Sequence, residues 1–141
     1  MSRVLLIANP SADIYGSDLQ MLESVSAAVA DGWSVVVTTP DHGPLVALLE
    51  ERGAEVRLVD YPVLRRTDAS FAGLVRLGSR GLRALREIHR LVREVRPDVV
   101  YVNTVTLPWW PLATRLARTP VVCHVHEAEA DDPVPVRLVL Y

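Results

Sequence analysis

Pro120-Val121-Val122-Cys123-His124-Val125-His126-Glu127 is a short apolar run that turns polar at its carboxyl end. The β-branched residues Val121, Val122 and Val125 fit a pleated surface and predict a strand. Pro120 suits the first position, where no ladder donor is yet required. Polar residues then gather where the strand should stop: His124, His126, Glu127, Glu129, Asp131 and Asp132. In open α/β sheets, ligands bind outside the carboxyl ends of the strands. The most titratable patch of the chain therefore falls where such a sheet does its chemistry.

Upstream, the sequence supplies the rest of such a sheet. Arg3 to Asn9 reads as a buried strand closed by Asn9-Pro10. A polar loop through Tyr15-Gly16-Ser17-Asp18 opens a helix that runs to Ala30, with Ser17 or Asp18 as its cap and Leu19, Leu22, Val25, Ala28 and Val29 as its apolar face. Gly32 marks its end. A second strand is predicted over Trp33 to Thr39, a helix over Pro44 to Arg52 and a third strand over Glu55 to Val59. After a loop over Tyr61 to Asp68 comes a long helical region to Arg96, with a break expected near Gly78 or Gly81. Its apolar positions Leu74, Leu77, Leu85, Ile88, Val92 and Val95 share one face. Asp98 to Asn103 is the fourth strand, and Pro108-Trp109-Trp110-Pro111 opens a helix to about Arg118. Strands alternating with helices predict a doubly wound, open parallel sheet of the α/β class, Rossmann-like, with right-handed crossovers.

Composition narrows the function. The chain has 141 residues, half of them hydrophobic, and a net charge of −2, which argues against a general nucleic-acid binder. Its single cysteine, Cys123, excludes an internal disulfide and fits a reducing compartment. With neither a leader pattern nor an apolar run of membrane-spanning length, the expected location is cytoplasmic. All fifteen basic residues are Arg. Without Lys there is neither a Schiff base nor a Walker-type phosphate-binding Lys.

Five groups of residues are candidates for chemistry. Gly16 and Ser17 open a helix, whose amino terminus offers N–H donors and a positive dipole end to a phosphate. Asn103 and Thr104 end the fourth strand with groups suited to sugar hydroxyls, or they serve as strand termination and a cap. His124 and His126 point to one face if both lie on a strand. A His pair with Glu127 or Glu129 could ligate a metal, but nothing else in the sequence supports a metal site. His124 is read as a satisfied structural histidine, and His126, nearer the strand end, as the functional one. Of Trp109 and Trp110, core packing is expected, with one of them available to stack on a sugar. Arg76, Arg80, Arg83 and Arg90 form a stripe that is either a solvated helix face or a contact to anionic lipid at a membrane surface.

The order of motifs resembles family 4 glycosyltransferases. The first strand with Tyr15-Gly16-Ser17-Asp18 is similar to the start of that family, and so is Ala30-Asp31-Gly32-Trp33-Ser34-Val35-Val36-Val37. Arg96-Pro97-Asp98-Val99-Val100-Tyr101-Val102-Asn103-Thr104 resembles its fourth strand, and Val121 to Glu127 its His-bearing strand. The resemblance covers nearly the whole chain. It implies the GT-B fold, in which two Rossmann-like domains face each other across a cleft. The amino-terminal domain mainly holds the acceptor, and the carboxyl-terminal domain holds most of the sugar nucleotide through two Glu with seven residues between them.

No such pair stands in that context here, so residues 1–141 are expected to form one amino-terminal, acceptor-side domain, with the donor-binding domain absent from the chain. By the same likeness Gly16 lies near the donor phosphates, and His126 is the catalytic-site His that contacts the transferred sugar. Ser17, Asn103, Thr104 and Glu127 join Gly16 as donor or acceptor contacts. Tyr15 stands where the family usually has the first of two glycines. The implied activity is retaining, hexosyltransferase-type transfer from a nucleotide sugar to a sugar or lipid acceptor, with no cofactor and no metal; the fragment alone is expected to be inactive. Two other readings remain: a non-catalytic doubly wound binding or signalling module, for which Asp60 would be the phospho-accepting residue, and half of another GT-B enzyme such as a sugar-nucleotide epimerase.

Overall fold

The computed structural model describes residues 2–64 and 70–126. Five strands, β1 Val4–Ala8, β2 Ser34–Thr39, β3 Glu55–Leu58, β4 Val99–Val102 and β5 Val121–Cys123, alternate with four helices, α1 Gly16–Ala30, α2 Pro44–Glu51, α3 Phe71–Val95 and α4 Trp109–Leu116. The strands form one sheet in the order β3-β2-β1-β4-β5, and every pairing is parallel. The fold class is therefore the doubly wound α/β sheet that the alternation predicts.

Period-two alternation divides the core into two layers. Leu6 and Ala8 of β1 join Val100 and Val102 against α3 and α4, through Ala84, Ile88, Val92 and Trp110. Ile7, between them in sequence, points the other way and packs with Val35 and Val37 against Met21, Leu22 and Val25 of α1 and Leu45 and Leu49 of α2. β1 pairs with strands on both sides and carries both layers, so it has no polar position between Leu5 and Ala8.

Three local expectations are corrected. The cap of α1 is Tyr15, not Ser17 or Asp18; Asp18 acts from the third helical position, where its carboxylate accepts from the Tyr15 N–H at 2.9 Å. Leu19 is exposed, and Met21 takes its place in the core, because the buried face of α1 runs through 18, 21, 22 and 25. Finally, α3 is one continuous helix through Gly78 and Gly81. Its buried face is Gly81, Ala84, Ile88, Leu91 and Val92, so Leu74 lies outside it.

Gly81 shows why the helix tolerates a poor helix former there. The Trp109 ring lies against it, and a Cβ at this position would sit 2.3 Å from Trp109 Cη2. Trp109 also donates its indole N–H to the Pro62 carbonyl at 3.1 Å. Gly81→Ala should therefore push the ring aside and loosen α3 from α4. Overpacking of this kind costs about 1–3 kcal/mol, which outweighs the roughly 1 kcal/mol of helix propensity that Ala gains. Urea unfolding monitored by Trp fluorescence checks it; an unchanged or raised midpoint would contradict this packing.

Candidate active site

The order β3-β2-β1-β4-β5 reverses direction at β1, so the crevice between the carboxyl ends of β1 and β4 is the topological switch point. Asn9 follows β1 and Asn103 follows β4, and both are buried. Their backbones extend the ladder: Asn9 N–H donates to the Thr38 carbonyl and Asn103 N–H to the Ala8 carbonyl, each at 3.0 Å. Register thus brings two asparagines side by side at the edge where chemistry is expected.

A directed chain of hydrogen bonds runs through them. Asn9 Nδ2 donates to Asp18 Oδ1 at 2.8 Å and to the Ser11 carbonyl at 2.9 Å. Both partners only accept, so both amide protons of Asn9 are committed and its Oδ1 must accept. It does so from Asn103 Nδ2 at 2.8 Å. Asn103 Oδ1 then faces outward as an acceptor. Tyr101 O–H donates to it at 3.2 Å, and His126 Nε2 lies 2.8 Å away. An amide oxygen cannot donate, so His126 Nε2 carries a proton. With its proton aimed at Asn103, the Tyr101 oxygen accepts from His124 Nδ1 at 2.6 Å. The two imidazoles lie against each other, centroids 3.9 Å apart and planes tilted by 41°. A buried carboxylate at the amino end of α1 thereby sets the orientation of an imidazole at the end of β5, on the far side of two strands. The positive end of the α1 dipole is where that carboxylate is tolerated.

Tyr61 braces the same corner from below. Its O–H reaches the Asn9 carbonyl at 2.7 Å and the Thr38 carbonyl at 3.0 Å. Burial pushes the Tyr61 phenol well above its ordinary range, so it stays neutral and acts as a strut, not a proton donor in turnover. Burial raises Tyr101 and the Cys123 thiol in the same direction.

The residues singled out from sequence divide as follows. His126 and Asn103 are in direct contact. Gly16 and Ser17 form the first turn of α1, the turn that carries Asp18, and their N–H groups precede any helical carbonyl that could take them. A Cβ on Gly16 would meet nothing within 4 Å, so packing within the chain does not demand a glycine there. Thr104 is buried and closes its own loop, its Oγ1 3.0 Å from Thr106 Oγ1 and accepting from the Thr106 N–H. Glu127 lies outside the described residues, as do Glu129, Asp131 and Asp132. His124 is half-buried and satisfied by Tyr101. Trp110 is core, and Trp109 packs between α3 and α4. Among the described residues, no three His, Cys, Asp or Glu side chains gather closely enough to hold a metal ion. The Arg stripe borders two hollows: Arg76 and Arg80 line a cavity beside β1–β3, while Arg83 and Arg90 line a second groove with Glu87 and Glu94.

Sequence reading missed Asn9, Asp18, Tyr61 and Tyr101. One signal for Asn9 was present: it closes the first strand as Asn103 closes the fourth. That the two strands are neighbours is a fact of topology, not of sequence order.

An open parallel sheet whose strand order reverses at β1, with a polar network at that point, defines a Rossmann-like domain. The chain belongs to the Glycosyl transferase 4-like domain family, which it matches over residues 16–141. No curated protein is significantly similar to it in sequence. Among solved structures, a glycosyltransferase from Rickettsia africae superposes with a TM-score of 0.70 at 14% identity, over 97% of this chain and 33% of that one. Anabaena HepE, solved in complex with UDP-glucose, gives 0.66 at 19% identity over 96% and 33%. MurG of Acinetobacter baumannii gives 0.66 at 19% over 99% and 38%. At these identities the likeness is one of fold, and the chain spans about a third of the length of these structures.

Proposed function

We propose that this chain is the acceptor-side domain of a retaining, hexosyltransferase-type glycosyltransferase that takes its sugar from a nucleotide-activated donor. The observation that carries this reading is the Asp18–Asn9–Asn103–His126 chain at the switch point of a family 4-like domain. An imidazole held at a ring nitrogen and packed against a second, tilted ring has little freedom left to lose when a sugar arrives. His126 contacts the transferred sugar, with Asn103, Thr104 and Glu127 around it. The first turn of α1, at Gly16 and Ser17, faces the donor diphosphate, whose charge is met by helix dipoles and by basic groups of a second, donor-binding domain. No metal or other cofactor takes part.

The test separates the two halves of such an enzyme. Residues 1–141 alone should transfer no sugar, and titration calorimetry with common uridine, guanosine and adenosine diphosphate sugars should give weak or undetectable heats. Tight binding by the isolated chain would put the nucleotide site here and overturn the acceptor-side assignment.

The same reading places the enzyme in the cytoplasm, at the inner face of the membrane, with Arg76, Arg80, Arg83 and Arg90 towards anionic lipid. No helix among the described residues is long and apolar enough to cross a membrane, so the contact proposed is peripheral. Arg90 is within 2.6 Å of Glu87, which leaves Arg76 and Arg83 as the stronger contributors. The chain should co-sediment with phosphatidylglycerol vesicles and be released as salt rises, since the attraction is screened. Equal partition onto neutral phosphatidylcholine vesicles would remove the idea.

A further inference from the structure

The cavity beside β1–β3 has a volume of about 380 Å³. Its floor is built from Pro10, Pro40, Tyr61 and Pro62, which follow the carboxyl ends of three strands. Prolines carry no N–H, and the Tyr61 hydroxyl is already committed to Asn9 and Thr38. The floor is therefore rigid and poor in donors. Donors come from the wall, where Arg76 and Arg80 project from α3 one turn apart. Two like charges at this spacing repel. Asp60 offsets only Arg80, through a long 3.3 Å contact between exposed groups that contributes little. Among the described residues, Arg76 has no carboxylate within ion-pairing distance, so its planar donor fork is open to an oxyanion. Asp41, on the cavity lining, is an acceptor for hydroxyls.

The same half of α3 carries a second feature that no sheet contact explains. Phe71 is 85% exposed, Leu74 43%, Val75 59% and Leu82 53%. With 3.6 residues per turn, positions 71, 74, 75, 78 and 82 fall on one face, with Gly78 in the middle. Going round the helix, this apolar stripe comes first, then a border of Arg86, Arg90, Arg83 and Arg76, then the cavity side with Arg80 and Gly73. Hydrocarbon surface, guanidinium border and polar cavity stand in that order within a single helix.

We propose that the cavity binds the phosphate-bearing polar head of an amphiphile whose hydrocarbon chain lies along the Phe71–Leu74–Val75 face. Arg76 takes the phosphate in a bidentate contact, with Arg80 released from Asp60 to assist, and Asp41 accepts from hydroxyls of the head. A nucleoside would find no use for the apolar stripe, and a neutral glycolipid would find none for the open guanidinium. That this amphiphile is the sugar acceptor rests on the transferase reading above; its binding does not.

The test uses residues 1–141 and nitrogen-15 spectra, with decyl phosphate below its micelle concentration as probe. Saturable shifts are expected at the amides of Gly73, Arg76 and Leu77 and at Arg76 Nε–H. Arg76→Ala should weaken binding at least tenfold, and the exposed pair Phe71→Ser with Val75→Ser should do so as well, both with an unchanged spectrum for the core. Inorganic phosphate should shift Arg76 Nε–H but bind at least tenfold more weakly than decyl phosphate. The proposal is overturned if decyl maltoside binds as tightly as decyl phosphate, since the stripe would then be adsorbing any alkyl chain. It is also overturned if inorganic phosphate matches decyl phosphate, which would leave the stripe no part, or if Arg76→Ala has no effect. Each result stands apart from the transferase reading, which depends on sugar transfer and on His126, not on this titration.

Discussion

Under the transferase function proposed above, replacing His126 with Ala is expected to lower sugar transfer roughly a hundred- to a thousand-fold, with little change in melting temperature. The magnitude is that of one preorganised transition-state hydrogen bond, about 2.7–4 kcal/mol. The small thermal effect follows from position. His126 is half-buried beyond the end of β5, and its loss leaves Asn103 still bonded to Asn9 and Tyr101. A histidine that only held structure would give the reverse pattern, a lower melting temperature with near-normal turnover in whatever stays folded. Turnover and melting temperature measured on the same variant decide between them.

The largest effect on stability is expected at Trp110. Its side chain is fully buried, packed edge-on against Tyr61 with ring centroids 5.5 Å apart and an interplanar angle of 87°. Trp110→Ala opens a cavity at the centre of the α3–α4 layer and removes the wall that holds Tyr61 under Asn9 and Thr38. Such truncations cost about 3–5 kcal/mol, a large share of the roughly 5–15 kcal/mol that a domain usually has. Thermal melting should show a fall of about 10–20 °C. Trp110→Phe should lose much less. Among the described residues the Trp110 indole N–H has no acceptor, and removing a buried unpaired donor recovers about 1–3 kcal/mol of desolvation penalty. If Phe destabilises as much as Ala, the indole N–H has an acceptor in the folded protein.

Fold class was legible because its signals are local and repeated. Strands read from runs such as Val35-Val36-Val37, and helix ends from Gly32 and from Pro97 behind Arg96, reach the structure within a residue or two. Errors fell where burial, not pattern, decides. Leu19 and Leu74 continue a helical spacing and yet face outward, because the neighbour each would need is not there. Gly81 looked like a helix breaker, and only the Trp109 ring, 28 positions further on, gives it a purpose. In the candidate site, the meeting of His126 with Asn103 was legible from strand ends. Asn9 was not, since its place depends on β4 inserting beside β1 and on a hydrogen-bond partner 94 positions away, and Asp18 joins the site only through Asn9.

That insertion also fixes an order of assembly on the ribosome. β1, β2 and β3 are complete once residue 58 has emerged, and they bury one face against α1 and α2 through short crossovers. Until β4 arrives, β1 is an open edge: Val4 N–H waits for the Asp98 carboxylate and Asn9 waits for Asn103. About forty-five further residues must be translated before Asn103 appears, which takes roughly two to nine seconds at about 5–20 residues per second. During that interval the nascent chain displays an apolar β1 edge with both ladder and side-chain partners missing, a template for unwanted strand pairing. Chaperone capture should therefore concentrate on chains halted between β3 and β4, and fall once Asn103 has closed the edge.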